Sequence, residues 1–403
     1  MAIFLPTPAR RRRTGPVALT LALTCLLTAA PAAVAQPSRD APRTCAPHPQ
    51  VTRSVRHLVA HDHITGAAVL VTGPDPAAPC ARWTATDGTA DLRTGRPMNT
   101  TDRLRAGSVT KTFTATVVLR LAAERRLSLD APVERYLPGL IRAGGYDGRR
   151  ITVRQLLRHT SGLPDYLEAP EWQHPERMRY RHFTPRRLIA RALRLPRPEH
   201  TWHYATTNYL IAGLIIRAVT GHSPETEITR RIIAALGLRD TYWPGDEPRI
   251  KGPHSHSYFT SADGHRVDGT AWNTTFGGVG GALVSSPADL TRFATALFTG
   301  RLLPARQLAE MRRTVAADPD RLWPGARYGL GLISSPLSCG GTWWGHAGTV
   351  PGGHRALVAR GPGGRTAAVA LTEVPATLEA EEDFLAIVDT ALCEGASNGR
   401  TPA

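Results

Sequence analysis

Ser108 and Lys111 stand three residues apart in the stretch Arg105-Ala-Gly-Ser-Val-Thr-Lys-Thr-Phe113. A serine hydroxyl attacks a carbonyl efficiently only when a neighbouring base takes its proton. A lysine amine is such a base once neutral, and desolvation or crowding by positive charge makes it neutral more easily. The composition singles this lysine out. The chain holds 49 Lys plus Arg, and only two of them, Lys111 and Lys251, are lysines. Arginine does not release its proton in a protein. A lysine kept in an arginine-rich chain therefore points to a position that needs a deprotonatable amine.

The elements that must hold this pair are readable around it. Phe113, Val117, Leu121 and Ala122 recur at helical spacing without Gly or Pro, which predicts a helix over 112–125. Positions i and i+3 share a helix face, so hydroxyl and amine would point the same way at its start. Unpaired N–H groups and a partial positive charge at that end favour a serine alkoxide. Helical patterns also cover 51–60, 152–158, 185–193, 208–218, 225–236, 287–298, 304–312 and 378–392, and strand patterns cover 67–72, 82–86, 342–344, 354–360 and 366–372. Strands lie at both ends of the chain and helices in the middle. The expected fold is α/β, an antiparallel sheet flanked by helices. It is formed from 49–108 and 270–396, with a mostly helical domain of 109–269 inserted. A pocket belongs between the two.

The first 35 residues read as a signal peptide: four arginines at 10–13, an apolar run over 17–28 and the small-x-small site Ala33-Val-Ala35. A loose, Pro-rich leader over 36–48 follows. Cleavage removes four arginines and no acid, so the formal charge falls from +16 to +12. A basic exported protein tends to stay near anionic surfaces such as a cell wall. Cys45, Cys80, Cys339 and Cys393 remain after cleavage. An even number suggests two disulfides out of three possible pairings, and the expected ones are Cys45–Cys80 and Cys339–Cys393.

Two further stretches join the first. One is Trp202-His-Tyr-Ala-Thr-Thr-Asn-Tyr209, before an apolar helix; the other is Trp344-Gly-His-Ala-Gly-Thr349. Together with Arg-Ala-Gly-Ser-Val-Thr-Lys they resemble the three motifs of the penicillin-recognising serine hydrolases. The chain looks most similar to secreted actinomycete D-alanyl-D-alanine carboxypeptidase/transpeptidases and their class C β-lactamase relatives. His159-Thr-Ser-Gly-Leu-Pro-Asp-Tyr166, Tyr328-Gly-Leu-Gly331 and Leu337-Ser-Cys-Gly340 extend the likeness over roughly residues 50 to 395.

The resemblance implies Ser108 as nucleophile, with Lys111 and Tyr204 beside it as base and proton relay. Either of the two would serve as the base. It also implies an oxyanion hole from the backbone N–H groups of Ser108 and Thr349, with Gly348 letting the strand approach substrate. Thr206, His346, Gly348 and Thr349 would bind substrate. His346 would offer a donor or a positive charge near a substrate carboxylate, or simply pack between strands. Three positions depart from the pattern. Thr206 stands where an Asn is expected, and a hydroxyl cannot span two partners as a carboxamide does. Asn208 is two residues late and should face elsewhere. No positive side chain occurs from Gly329 to Trp344, where the peptidase carries a carboxylate-binding arginine, although Arg355 would compensate. Ala347 replaces a frequent Thr.

The implied activity is acyl transfer through a Ser108 ester, first of all D-alanyl-D-alanine carboxypeptidase action on peptidoglycan-type peptides. An esterase or D-amino-acid amidase/aminopeptidase is the alternative, then a β-lactamase, then a dead peptidoglycan-binding homologue. No cofactor is expected. His61-Asp-His63 and His254-Ser-His256 are tight histidine pairs, but neither gathers further metal ligands in sequence, so no metal is expected either. Expected partners are a small peptide or β-lactam substrate and cell-wall peptidoglycan. The arginines lack the aromatic interleaving of a nucleic-acid groove. No membrane insertion is expected beyond residue 36, and the chain should be a monomer.

Overall fold

A computed structural model describes residues 48–394 apart from 76, 77, 79 and 262. Residues 1–35, expected as a signal peptide, the expected leader before His48, and Cys45 of the expected Cys45–Cys80 pair lie outside the described residues. Among the described residues, nine strands form one antiparallel sheet. In chain order they are β1 (Gly66–Thr72), β2 (Arg82–Asp91), β3 (Arg96–Pro97), β4 (Val315–Ala316), β5 (Arg327–Tyr328), β6 (Ile333–Pro336), β7 (Thr342–Thr349), β8 (Arg355–Arg360) and β9 (Thr366–Leu371). Their spatial order is β3-β2-β1-β9-β8-β7-β6-β5-β4. Strands from the early and late parts of the described chain are therefore neighbours inside the sheet, where Val69 of β1 pairs with Val369 of β9.

Both sheet faces are covered. The strand period of two sends Val69, Leu357, Ala359 and Val369 to one face, where helices α1 (Pro49–Ala60) and α5 (Leu378–Cys393) supply Val55, Leu58, Phe384 and Val388. The alternate residues Ala356, Val358, Ala368 and Ala370 face the other side. There the helices α2 (Thr110–Ala123), α3 (Thr206–Thr220) and α4 (Pro287–Phe298) build the larger core. Phe113 of α2 stacks on Phe293 of α4 with ring centroids 3.6 Å apart.

Helix α2 differs from its sequence pattern. The spacing of Phe113, Val117 and Leu121 suggests one apolar face, yet every residue from Thr110 to Leu119 is buried. Threonines make this possible, because their hydroxyls find backbone acceptors. Thr112 donates to Gly331 O at 2.8 Å and Thr114 to Val279 O at 2.6 Å. A helix enclosed on all sides is a rigid mount for a side chain at its start. The region expected as a single helix over 225–236 is α-helical over Pro224–Ile228 and Ala234–Leu236, with a π-helical stretch, Thr229–Ile233, between. Strand β7 continues from the 342–344 pattern through the whole Trp344–Thr349 motif, ending at Thr349. No helix among the described residues is long and apolar enough to cross a membrane.

Cys339 and Cys393 are joined in a disulfide with Cα atoms 5.7 Å apart. It pins the β6–β7 turn to the end of α5 and closes a separation of 54 residues. Replacing both cysteines by serine is expected to cost about 2–4 kcal/mol. Urea melts of the variant against the unaltered protein check this.

Candidate active site

Ser108 sits in the 3-10 turn Gly107–Val109 that leads into α2, and Lys111 follows in the first helical turn. The Lys111 amine is wholly buried. It donates to Ser108 Oγ at 3.0 Å, to Gly280 O at 2.8 Å and to Thr206 Oγ1 at 3.4 Å. Burial lowers its pKa to about 7, and the Asp165 carboxylate opposes that fall. Tyr204 precedes α3 with its ring centroid 4.9 Å from Lys111 Nζ. Burial raises its phenol above the ordinary value, against the pull of a hydrogen bond with Ser108. At neutral pH the phenol therefore keeps its proton, while much of the amine can be neutral.

A layer of rings under the site accounts for the desolvation. His159 is buried at φ +62°, and its ring lies 4.3 Å from that of Tyr204 and 4.8 Å from that of Tyr328, centroid to centroid. Its Nδ1 accepts from the backbone N–H of Ala205 at 3.1 Å and meets the Asn208 amide nitrogen at 3.1 Å. His203 N–H donates to His159 O at 2.9 Å. His159 thus grips the segment that presents Tyr204. Asn208 also accepts from Ser161 Oγ at 2.6 Å, so it faces away from Lys111.

Asp165 ties two element starts together. Its Oδ1 accepts from Leu167 N–H at 3.2 Å and its Oδ2 from Thr206 N–H, the first residue of α3, at 2.8 Å. Burial raises its pKa, and those two bonds and Lys111 resist the rise. Asp165→Asn keeps an acceptor for one amide but removes the charge that sustains the Lys111 proton. The acid limb of kcat/KM should move from about 7 to lower pH; a pH–rate profile checks the shift.

Strand β7 comes against the serine turn at Gly348. A Cβ there would fall 2.0 Å from Ala106 O and 3.0 Å from Ser108 N, and one on Gly107 (φ +52°) would fall 2.7 Å from Thr349 N. The two glycines let the Ser108 and Thr349 backbones meet, the arrangement an oxyanion hole requires.

A cavity of about 560 Å³ opens over Ser108, Tyr204, Thr206, His346 and Thr349. Arg355, considered from sequence as a substitute carboxylate-binding arginine, also lines it, as do Asp165, Glu168, Arg321, Trp323 and Glu381, which were assigned no binding role from sequence. Asp165 sits in the His159–Tyr166 stretch, which carried a signal. Gly280 contributes a backbone carbonyl, which no side-chain pattern announces. His346 offers no positive charge. Its Nδ1 donates to Ala347 O at 2.5 Å, Tyr328 OH donates to its Nε2 at 2.8 Å, and burial lowers its pKa to about 3. Arg355 donates to Thr349 Oγ1 at 2.9 Å and pairs with Glu381; Arg321 pairs with Glu168 at 2.7 Å.

The beta-lactamase family model matches residues 51–392. Two curated relatives are esterase EstB of Burkholderia gladioli, 34% identical over 40% of this chain and 43% of its own length, and penicillin-binding protein 4 of Amycolatopsis lactamdurans, 27% identical over 55% of this chain and 60% of its own length. These matches thus span about half of each relative. A solved D-stereospecific amidohydrolase from Streptomyces sp. superposes with a TM-score of 0.73 at 38% identity, covering 81% of this chain and 94% of that one. The D-amino acid amidase of Ochrobactrum anthropi SV3 gives a TM-score of 0.73 at 25% identity, covering 85% and 97%. The match runs from α1 to α5, across both faces of the sheet and through the serine turn: this chain belongs to the beta-lactamase family of serine hydrolases.

Proposed function

We propose that the protein hydrolyses amides or esters of D-amino acids through a Ser108 acyl-enzyme. The observation that carries the chemistry is the buried Lys111 amine, 3.0 Å from Ser108 Oγ with a pKa near 7. Neutral Lys111 takes the hydroxyl proton as Oγ attacks the carbonyl, and the Ser108 and Thr349 N–H groups hold the oxyanion. Tyr204, still protonated, passes its proton to the departing amine or alcohol and recovers one from the Lys111 ammonium; water then attacks the ester, giving its proton to the neutral Lys111, which returns it to Ser108 Oγ as the acid leaves. The cavity's charges support the substrate class. Arg321 and Arg355 are each paired with a carboxylate and His346 is neutral, which favours an uncharged leaving group over a free terminal carboxylate. The likeness to a D-stereospecific amidohydrolase points the same way.

D-alanyl-D-alanine carboxypeptidase action is the second reading. It is favoured by one contact, Arg355 on Thr349 Oγ1 at the cavity wall, which a substrate carboxylate would share. A panel of D- and L-aminoacyl p-nitroanilides, p-nitrophenyl esters and D-Ala-D-Ala peptides separates the two. We expect the D-aminoacyl amides and esters to turn over fastest. Preference for the dipeptide terminus would replace the first reading with the second, and equal rates on L substrates would overturn both. Export is part of the same proposal; protein recovered from culture medium should begin at Gln36.

A further inference from the structure

On the sheet face opposite α2, helices α1 and α5 bring together four side chains that do not line the cavity over Ser108. His57 and His61 lie one turn apart at the end of α1, Asp62 follows, and Asp383 comes from α5. One ligand atom from each lies within 4.8 Å of all the others. His57 Nε2 is 3.1 Å from Asp383 Oδ2, and His61 Nδ1 is 3.1 Å from Asp62 Oδ1. The two imidazoles stack with centroids 4.5 Å apart.

A second observation points to a cation. The Asp62 side chain is only 4% exposed, and its Oδ2 is buried with no hydrogen-bond partner. A carboxylate oxygen shut away from water and unpaired is costly, and a metal ion relieves that cost. The ligand set is two imidazole nitrogens and two carboxylate oxygens, which suits a four-coordinate Zn²⁺. His61-Asp-His63 looked short of ligands in sequence. The fold adds His57 from the preceding helical turn and Asp383 from the other end of the chain, and His63 stays outside the cluster.

We infer that His57, His61, Asp62 and Asp383 form a Zn²⁺ site that clamps α1 to α5. Bonds of about 2.0 Å require ligand atoms about 3.3 Å apart, so the cluster contracts on binding. His57, His61 and Asp383 are 49%, 55% and 33% exposed and have room to rotate. The site is structural and independent of the acyl-transfer reading.

The test uses the untagged full chain. Equilibrium dialysis against Zn²⁺ should retain one ion per chain, and Co²⁺ should give the intense visible absorption of a tetrahedral site. Saturating Zn²⁺ should raise the melting temperature by about 2–4 °C. His57→Gln with Asp383→Asn should lose all three signals and keep basal turnover, whereas His63→Ala should keep the ion. No retained ion in the unaltered chain would overturn the proposal. So would equal retention by the His57→Gln/Asp383→Asn variant, which would put the ion elsewhere among the histidines.

Discussion

Lys111→Met is expected to lower kcat/KM by about 10²–10⁴-fold while the protein stays folded. Methionine keeps roughly the stem's volume, but its thioether sulfur is far too weak a base to take the Ser108 proton. In the unaltered enzyme kcat/KM should fall as pH drops through about 7, because the amine then gains a proton and no longer draws one from Ser108. The residual rate of the variant should lack that limb. The same shift sets a stability slope. Between about 7 and the unfolded value of 10.5 the unfolded chain holds a proton on Lys111 that the folded chain does not. Folding stability from this group therefore rises with pH across that window, and its cost is greatest below 7. Lys111→Met should flatten the slope in urea melts run from pH 7 to 10. A variant that kept both the acid limb and near-normal turnover would remove Lys111 from the mechanism.

Gly348→Ala should lower kcat by about 10²–10³-fold with a smaller change in KM. The added Cβ would sit 2.0 Å from Ala106 O. That neighbour is backbone at the root of the serine turn, so no side chain can swing aside. Strand β7 must back away, and the Thr349 N–H leaves the Ser108 N–H. A transition-state oxyanion loses a donor that the ground state hardly uses, which is why kcat carries the effect. Gly363→Ala is the control, since a Cβ there has nothing within 4 Å. Turnover of Gly348→Ala equal to that of Gly363→Ala would show that the oxyanion is held elsewhere.

Much of the fold was legible because its signals are local. The helices α1, α2, α3, α4 and α5 and the strands β1, β2, β8 and β9 follow apolar spacing bounded by Gly, Pro and polar residues. Strands β3, β4 and β5 were not, since two residues each are too few to show a period. β6 was missed as well, and it ends in Pro336. At the site, the place of Asn208 off Lys111 followed from counting residues along a helix. The positive charge considered for His346 did not survive, because burial of its ring, and next the Lys111 charge supplied by a distant part of the chain, lower its pKa to about 3.

By itself the sequence determined the Ser108–Lys111 pairing, the order of the three motifs and the alternation that buries both sheet faces. Each of these depends on neighbours within a turn or a strand, where covalent geometry leaves little choice. Only the tertiary structure decided the proton affinities and the free charges. Lys111 is held near neutrality by rings from distant segments, Arg355 and Arg321 are met by Glu381 and Glu168, and Asp62 finds His57 and Asp383 across two helices. Desolvation and Coulomb interaction act through space, so their outcome appears only when remote parts of the chain are packed together.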